Sequence, residues 1–313
     1  MSTASLRPIA PTAFASRWVD VARDIKISHT VFALPWALLS TCLAHKVWIT
    51  RHVGPESRFA FLRQLLLIVT CMVLARTVAM LANRLVDARL DRLNPRTAGR
   101  SIPSGRLSPR FMLLTAVVCG VLFIAVTSLF WVWFSNRIPL LASVPVIAFV
   151  CAYPFLKRFT AFCHLYLGTA LALAPMCAWV AVTGTLDTAP LLMAGAVLLW
   201  TAGFDIIYAC QDYPSDLATG VFSIPAKFGI AHALRISRLL HVGCVAFLVA
   251  LGQSVPQFTT LYFVGVGIVI LLLIIEHALI RPNDLSRVNA AFFTLNGIIS
   301  VTLGALGILD LYV

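Results

Sequence analysis

The sequence predicts an all-α polytopic membrane protein with nine transmembrane helices. Hydrophobic residues make up 60% of the chain and charged residues only 12%, whereas a soluble globular chain is about half apolar and a quarter charged. Several apolar runs also reach the ~20 residues that a helix needs to cross a bilayer. A soluble all-helical protein would have to cover all of this apolar surface, so the composition argues against that class.

Nine apolar runs are long enough to form transmembrane helices. In chain order these predicted spans cover residues 30–49, 60–82, 111–134, 138–156, 162–183, 188–209, 234–254, 258–280 and 290–312. The second span is predicted to continue as a helix beyond Asp87, because no helix breaker occurs before Pro95.

The distribution of Lys and Arg predicts the direction of the spans. Of the 24 Lys and Arg residues, 18 lie in the N-terminal segment and in the loops after spans two, four, six and eight, 5 lie on the opposite side, and Arg76 lies within span two. Because cytosolic loops carry an excess of positive charge, the N-terminus is predicted in the cytosol and the C-terminus outside. The first external loop contains four of the five Lys and Arg residues on the opposite side and is a local exception to this bias. We expect a protein of the bacterial inner membrane.

The first 25 or so residues are mixed polar and lack the continuous apolar run of a signal peptide. We therefore expect a cytosolic N-terminal segment at residues 1–25, followed by a single membrane domain at residues 26–313. The formal net charge of +12 is typical of the cytosolic loops of a membrane protein, so the expected partner is the lipid bilayer and not a nucleic acid. No two of the eight cysteines form a CxxC pair, which indicates small apolar residues in helix packing.

Five of the twelve acidic residues fall in two short clusters. The clusters read Asn83-x3-Asp87-x3-Asp91 and Asp205-x6-Asp212-x3-Asp216. An i, i+4 spacing places each Asp pair on one face of a helix. Carboxylates are costly near lipid, and paired carboxylates on facing helix ends offer the oxygen ligands that Mg²⁺ prefers. The metal-ligand candidates are therefore Asp87, Asp91, Asp212 and Asp216.

Both clusters lie at the predicted cytosolic ends of spans two and six. Four spans separate them, and because this number is even, both clusters emerge on the same side of the membrane. The orientation was derived from Lys and Arg alone, so this agreement is an independent check. We expect the two clusters to meet.

Basic side chains accompany the acidic clusters and are candidates for binding phosphate oxygens. Arg76 lies seven residues before Asn83, about two helical turns, and therefore points along the same face. An Arg inside a span usually marks a functional cavity, although a buried structural ion pair is the alternative. The other substrate-binding candidates are Asn83, Arg96, Arg100, Lys157 and Arg158, with Arg favoured for bidentate contacts. Positive-inside anchoring is the alternative for Lys157 and Arg158.

A diphosphate ester of a long isoprenoid alcohol would need all of these groups. Its tail requires an apolar channel in the membrane, and its head group requires cations. Mg²⁺ binds through one or two carboxylates together with substrate phosphates. It would neutralise the departing diphosphate and so promote C–O cleavage to an allylic cation.

Three segments resemble motifs of the UbiA superfamily of intramembrane aromatic prenyltransferases. Residues 83–91 and 94–100 are similar to the family pattern N-x3-D-x3-D with a trailing R-T-x-x-R. Residues 203–216 resemble the second motif, D-x-x-Y-x3-D-x3-D, and residues 153–160 are similar to a third family loop. The resemblance extends over essentially the whole chain from about residue 24.

The resemblance implies nine helices around a central cavity with a cytosolic cap. The implied reaction is Mg²⁺-dependent transfer of a polyprenyl group to a ring carbon of an aromatic acid, either 4-hydroxybenzoate or a dihydroxynaphthoate, in ubiquinone or menaquinone biosynthesis. Asp205 is our hypothesis for taking the ring proton or positioning the acceptor. Tyr208, one turn before Asp212, is the second catalytic candidate, with an aromatic-belt residue as the alternative. The sequence sets neither the tail length nor the oligomeric state.

The most similar subgroup is that of the 4-hydroxybenzoate polyprenyltransferase-like proteins. Within it, Asn83-Arg84, Ser101-Ile102-Pro103, Gln211-Asp212 and Phe292-Phe293 resemble the branch placed in menaquinone synthesis by the futalosine route. The better-known ubiquinone enzymes tend to have Arg-Pro-Leu after the first motif and a second Asp at the position of Gln211. The chain departs from both patterns, so the acceptor stays open.

Two other functions were weighed against this one. A secondary transporter also contains intramembrane acids, but it predicts carboxylates near the bilayer midplane. Here the acids lie at the cytosolic ends, beside an Arg-rich loop. A prenyltransferase acting on haem, chlorophyllide or homogentisate is the alternative within the class, and the chain shows no haem-ligand histidine pattern.

Overall fold

The computed structural model describes residues 14–25, 27–51 and 57–313. Within these ranges the chain is helical and contains no β-strand. The helices are α1 (Phe14–Asp24), α2 (Leu34–Arg51), α3 (Ser57–Leu93), α4 (Pro109–Phe134), α5 (Ile138–Leu156), α6 (Cys163–Thr183), α7 (Thr188–Ala209), α8 (Tyr213–Thr219), α9 (Ile224–Phe228), α10 (Ile230–Ser254), α11 (Thr260–Leu279) and α12 (Val288–Asp310).

Nine helical segments in the described ranges are long and apolar enough to cross a membrane, which confirms the predicted class. Helix α3 continues to Leu93, as expected from the absence of a breaker before Pro95. Helix α10 begins at Ile230, four residues before the predicted start, because Gly229 takes a positive φ of 77° and starts a new helix after α9. Helix α2 begins at Leu34, after a 3₁₀ turn at Ile27–Phe32, since the following Pro35 suits a first helical turn.

Helix α7 lies at the centre of the bundle. Of its 22 residues, 13 are buried, whereas only 6 of the 26 residues of α4 are buried. The outward side chains of α4 are large and apolar, with Leu114 62% and Val121 60% exposed. Such a surface is expected to face lipid. The buried helix α7, by contrast, carries Asp205 in the interior and ends just before Asp212 and Asp216.

Helices α6 and α7 approach each other closely at Gly168. A Cβ atom at this position would lie 2.4 Å from the carbonyl oxygen of Leu198. Because the obstructing atom belongs to the backbone, no side-chain rotation can relieve the contact. The glycine therefore permits the approach that sets the start of α6 beside the end of α7.

A buried polar network joins α7, α11 and α12. The Trp200 indole N–H donates to Asn296 Oδ1 over 2.7 Å, and Asn296 Nδ2 donates to Glu276 Oε1 over 2.7 Å. Asn296 Nδ2 also reaches the carbonyl oxygen of Ala291 at 3.1 Å. This bond supports a π-helical turn at Ala291–Leu295, a local irregularity that often occurs near functional sites.

Helix α1 fastens the Arg-rich loop after α3. Val21 is buried with Leu81 of α3 and with Ile102 and Leu107 of the loop. The carbonyl oxygen of Asp24, the last residue of α1, accepts hydrogen bonds from the Arg84 guanidinium at 3.1 and 3.3 Å. These contacts hold the loop over the end of α3 and form part of the cap on the bundle.

Replacing Gly168 with Ala is expected to destabilise the protein by about 1–3 kcal/mol, because the added methyl group separates α6 from α7. The measurement is the Tm in detergent, followed as the fraction of folded protein that remains after heating. Gly120→Ala on α4 is the matched control, since an added Cβ there meets nothing within 4 Å and Ala favours helix. Equal Tm values for the two variants would contradict the close approach.

Candidate active site

A cavity of about 180 Å³ lies where α3 and α7 end. It brings the two acidic clusters together, as the even number of intervening spans predicts. Ten predicted site residues line it, namely Asn83, Asp87, Asp91, Arg96, Arg100, Lys157, Asp205, Tyr208, Asp212 and Asp216. The predicted residues Arg76 and Arg158 are not part of the lining.

The carboxylates of the first cluster are buried and paired with cations. Asp87 is 1% exposed and forms a short ion pair with Lys157, which follows α5. One turn later, Asp91 is 6% exposed, and the Arg100 guanidinium donates to it over 2.6 Å. Two segments distant in sequence thus supply the positive charge that these buried carboxylates require.

Asp212 of the second cluster is held by the loop that follows the first. Arg96 donates to both of its carboxylate oxygens, at 2.9 Å from Nε and 2.5 Å from a terminal nitrogen. Asn94 Nδ2 adds a hydrogen bond of 2.8 Å. Partial burial lowers the pKa of Arg96, but the bonds to Asp212 and its charge outweigh burial and raise the pKa above its usual value. The guanidinium therefore stays charged and joins the two motifs directly.

The second cluster is not carried by one straight helix. Helix α7 ends at Ala209, a 3₁₀ turn covers Cys210–Asp212, and α8 begins at Tyr213. The break precedes Pro214, which has no N–H to donate to the carbonyl oxygen of Cys210 and whose ring would clash with that carbonyl in a continuous helix. Asp212 thereby stands at the start of α8, while Asp216 lies within α8 and accepts a hydrogen bond of 2.8 Å from Ser223 Oγ.

Asp205 lies away from the Lys and Arg side chains that pair with the other carboxylates. Its Oδ2 is 2.7 Å from Nδ1 of His164, in the first turn of α6. The backbone N–H of Ile224 points at the other ring nitrogen, Nε2, at 3.3 Å. Sequence reasoning placed Asp205 apart from the metal-ligand candidates, and this assignment stays a prediction.

Tyr208 joins the polar part of the cavity to an aromatic wall. Its hydroxyl accepts a 2.7 Å hydrogen bond from Arg96, whose guanidinium also lies 5.0 Å from the centre of the ring. On the other side the ring packs on Phe292 of the π-helical turn, with centroids 4.1 Å apart. Phe292 in turn contacts Phe204 and Phe32 at 5.2 and 5.4 Å. Tyr208 is thus held by packing in the interior. A residue of the aromatic belt at the membrane surface would not require these contacts.

The remaining predicted residues have other contacts. Arg76 lies deeper along α3 and donates to the Thr30 hydroxyl over 3.2 Å. The Arg158 side chain is 40% exposed, lies 4.0 Å from Asp87 and donates to the carbonyl oxygen of Val86 over 2.8 Å. Asn83 Oδ1 accepts a hydrogen bond of 3.3 Å from Arg84. Their assignment to substrate binding stays a prediction.

The carboxylates fit a divalent cation that is shared with a substrate. Asp87 Oδ1 and Asp91 Oδ2 are buried oxygens without a hydrogen-bond partner among the described residues, and carboxylate oxygens are hard ligands of the kind that Mg²⁺ takes. In the described part of the chain, no group of three or more His, Cys, Asp or Glu side chains could hold a metal ion alone. A cation bound by these carboxylates would take its remaining ligands from phosphate and water.

Sequence reasoning did not name every residue of the cavity, and four of those it left out have polar side chains that bear on the site. His164, Asn94, Tyr153 and Ser223 all line it. Asn94 and Tyr153 lie within the segments that carry the family resemblance, so their position in those segments could have identified them. His164 offered none, because its partner Asp205 lies 41 residues further along the chain.

Comparison with known proteins identifies relatives along most of the chain. The model of the UbiA prenyltransferase family matches residues 33–298. A 4-hydroxybenzoate octaprenyltransferase of Marinobacter nauticus is 30% identical over 287 residues, which cover 91% of this chain and 92% of the relative. The enzyme of the same name from Pseudomonas syringae pv. syringae is 33% identical over 218 residues, 69% of this chain and 68% of the relative.

Solved structures have the same architecture. An apo structure of a UbiA homologue from Aeropyrum pernix K1 matches with a TM-score of 0.77 and 30% identity, covering 91% of this chain and 98% of that one. A UbiA homologue from Archaeoglobus fulgidus bound to GPP and Mg²⁺ matches with a TM-score of 0.69 and 19% identity, covering 94% of this chain and 100% of that one. The second likeness shows the fold alone.

Proposed function

We propose that this chain, which belongs to the UbiA prenyltransferase family, transfers a polyprenyl group from a polyprenyl diphosphate to a ring carbon of an aromatic acid. The chain is a prenyltransferase, so the transporter hypothesis is set aside. The observation that carries the proposal is the cavity in which two carboxylate clusters face Lys and Arg side chains. The product would serve respiratory quinone biosynthesis.

4-Hydroxybenzoate is our first choice of acceptor. The relatives from Marinobacter and Pseudomonas are 4-hydroxybenzoate octaprenyltransferases at 30% and 33% identity. A dihydroxynaphthoate, the acceptor of the menaquinone branch, is the second candidate and rests on the short motifs described above. Both acids carry a phenolic hydroxyl next to a ring carbon that an allylic cation can attack.

The ion pairs of the cavity support a diphosphate site. Lys157, Arg96 and Arg100 each contact one metal-ligand candidate, respectively Asp87, Asp212 and Asp91. A bound diphosphate would draw these cations onto its oxygens, because phosphate offers them more acceptor sites than one carboxylate does. The carboxylate oxygens would then be available to divalent cations.

The metal ligands of the proposed site are Asp87 and Asp91 on one side and Asp212 and Asp216 on the other. Mg²⁺ bound between these carboxylates and the substrate would supply positive charge that stabilises the departing diphosphate. Asn83, one turn before Asp87, provides an amide oxygen on the same helical face.

The aromatic wall suits the carbon that becomes positively charged. When the C–O bond breaks, its electron pair leaves with the diphosphate and the allylic carbon develops positive charge. The faces of aromatic rings are electron-rich and attract a cation, and the Tyr208 face that Arg96 covers would become available once Arg96 turns to the diphosphate. Tyr208 contacts Arg96 and Phe292 packs on Tyr208, so the prenyl tail would run along this wall away from the phosphate groups.

Asp205 and Arg76 are assigned to the acceptor. A new C–C bond forms at the ring carbon next to the phenolic hydroxyl, and Asp205 would accept either the ring proton or a hydrogen bond from that hydroxyl. Arg76 lies about 10 Å further into the bundle than Asn83, given seven residues of helical rise. At that depth its guanidinium is better placed for the carboxylate of the acceptor than for the diphosphate.

The placement in the membrane follows from the charge distribution. The family and the nine apolar helices of the described residues make the chain an integral membrane protein. We propose the inner membrane, with the N-terminus and the cavity facing the cytosol, because 18 of the 24 Lys and Arg lie on that side. A reporter enzyme fused to the C-terminus would be active outside the cytosol.

The division into residues 1–25 and a single domain at 26–313 also stays a proposal.

The deciding experiment uses the purified full chain in lipid nanodiscs. It is supplied with a polyprenyl diphosphate and either 4-hydroxybenzoate or a dihydroxynaphthoate, and the prenylated acid is measured by mass spectrometry. We expect product with Mg²⁺, none with EDTA, and recovery when Mg²⁺ is added back. No product from either acid in the presence of Mg²⁺ would sink the proposal.

Arg100→Gln is expected to raise the KM for prenyl diphosphate by about tenfold or more, because one charge-assisted contact to the head group is lost. The KM for the acceptor should change much less. Arg106→Gln is the matched control on the same loop, since Arg106 contacts Asp20 at 3.4 Å and does not line the cavity. Equal effects of both substitutions would contradict the assignment of Arg100.

Asp205→Asn is expected to leave binding of prenyl diphosphate intact and to abolish coupling, because the amide cannot accept a proton as the carboxylate does. Diphosphate binding is measured with a radiolabelled substrate, and coupling as product formed in a single turnover. Intact turnover in this variant would remove Asp205 from the mechanism.

A further inference from the structure

His164 is a buried side chain of the cavity, and the proposed reaction assigns it no role. It is 3% exposed and sits in the first turn of α6, across the cavity from the end of α7. Its ring reaches two groups on different elements, Asp205 on α7 and the backbone of Ile224 at the start of α9. A buried imidazole requires partners for its ring nitrogens, and here one of these partners is a candidate catalytic carboxylate.

The two contacts settle the position of the imidazole proton. The backbone N–H of Ile224 can only donate, so the ring nitrogen that faces it, Nε2, must accept. A neutral imidazole then carries its proton on Nδ1, which points at Asp205 Oδ2 over 2.7 Å. His164 therefore donates a hydrogen bond to the carboxylate of Asp205.

The rest of the Asp205 carboxylate faces the cavity. Oδ1 has no hydrogen-bond partner among the described residues, and the side chain keeps 13% of its surface exposed. One oxygen is thus fixed by His164 while the other points at the space where a substrate binds. Such an arrangement holds a carboxylate in one orientation and leaves a lone pair for a reacting group.

We infer that His164 is a positioning residue for the acceptor half of the reaction: through its hydrogen bond it orients Asp205 toward the phenolic acid. This rests on the proposed function. In the coupling step the prenyl C–O bond breaks with its electron pair on the diphosphate, the ring carbon forms the C–C bond, and the ring proton passes to Asp205 Oδ1. His164 keeps its Nδ1 proton throughout and exchanges no electrons.

The contact to Ile224 provides a second, purely structural task that the experiment has to separate. Ser223, the neighbour of Ile224, donates to Asp216 over 2.8 Å, so His164 also helps to hold the segment beside a metal-ligand candidate. Loss of that support would disturb binding of the diphosphate. Loss of the bond to Asp205 would disturb use of the acceptor instead.

His164→Asn and His164→Leu form a matched pair for the test. Their side chains have nearly the same shape, and neither reaches the Ile224 N–H with an acceptor. Only Asn can place an N–H where Nδ1 of the imidazole stands and so donate to Asp205. Any difference between the two variants therefore reports on the bond to Asp205.

The measurement is kcat and KM for each substrate, with the full chain in nanodiscs, Mg²⁺, a polyprenyl diphosphate and 4-hydroxybenzoate. We expect kcat/KM for the acceptor to be at least about tenfold lower in the Leu variant than in the Asn variant. The KM for prenyl diphosphate should be the same in both within about twofold. Should the Leu variant fail to fold, His164→Ala takes its place, with the Tm recorded for every variant.

Two results would overturn the inference while wild-type activity stands. One is an equal acceptor kcat/KM in the Asn and Leu variants, and the other is a difference that appears in the KM for prenyl diphosphate. Failure of the proposed function looks different, because the wild type would then prenylate neither 4-hydroxybenzoate nor a dihydroxynaphthoate.

Discussion

Charge compensation of carboxylates close to the lipid is the constraint on which the rest of the site depends. Asp87 and Asp91 are almost fully buried, and a buried carboxylate without a partner is strongly destabilising. Their partners Lys157 and Arg100 come from the segment after α5 and the loop after α3. The contacts that neutralise these carboxylates therefore also fasten distant segments to one another, and the same cations are the groups that a diphosphate requires.

The sequence was sufficient to predict the helices and the meeting of the two clusters. Hydropathy locates spans because their apolar surface must face lipid, and the even number of spans between Asp87 and Asp212 places both at one end of the bundle. The long extension of α3 to Leu93 followed from the absence of a breaker before Pro95. These features depend on local composition and on counting, which a single sequence contains.

Other features depend on contacts between distant residues and were not predictable from pattern. The helix break at Cys210–Asp212 within the second cluster follows from Pro214, which is local in the sequence. The hydrogen bond that Asp212 then accepts from Asn94 joins residues 118 positions apart. The π-helical turn that sets Phe292 against Tyr208 relies on Asn296, whose partners belong to other helices as well as to its own. The dyad of His164 and Asp205 has no spacing signature either.

The difference between the carboxylates suggests a division of labour. Asp87, Asp91 and Asp212 face Lys or Arg, the side chains that a bound diphosphate would draw onto its own oxygens. These carboxylates suit metal binding, in which no proton is taken up. Asp205 is held by the imidazole of His164, whose other ring nitrogen faces the Ile224 N–H. This hydrogen bond fixes the orientation of the Asp205 carboxylate and leaves its other oxygen for the cavity, which is the arrangement that a group accepting the ring proton needs.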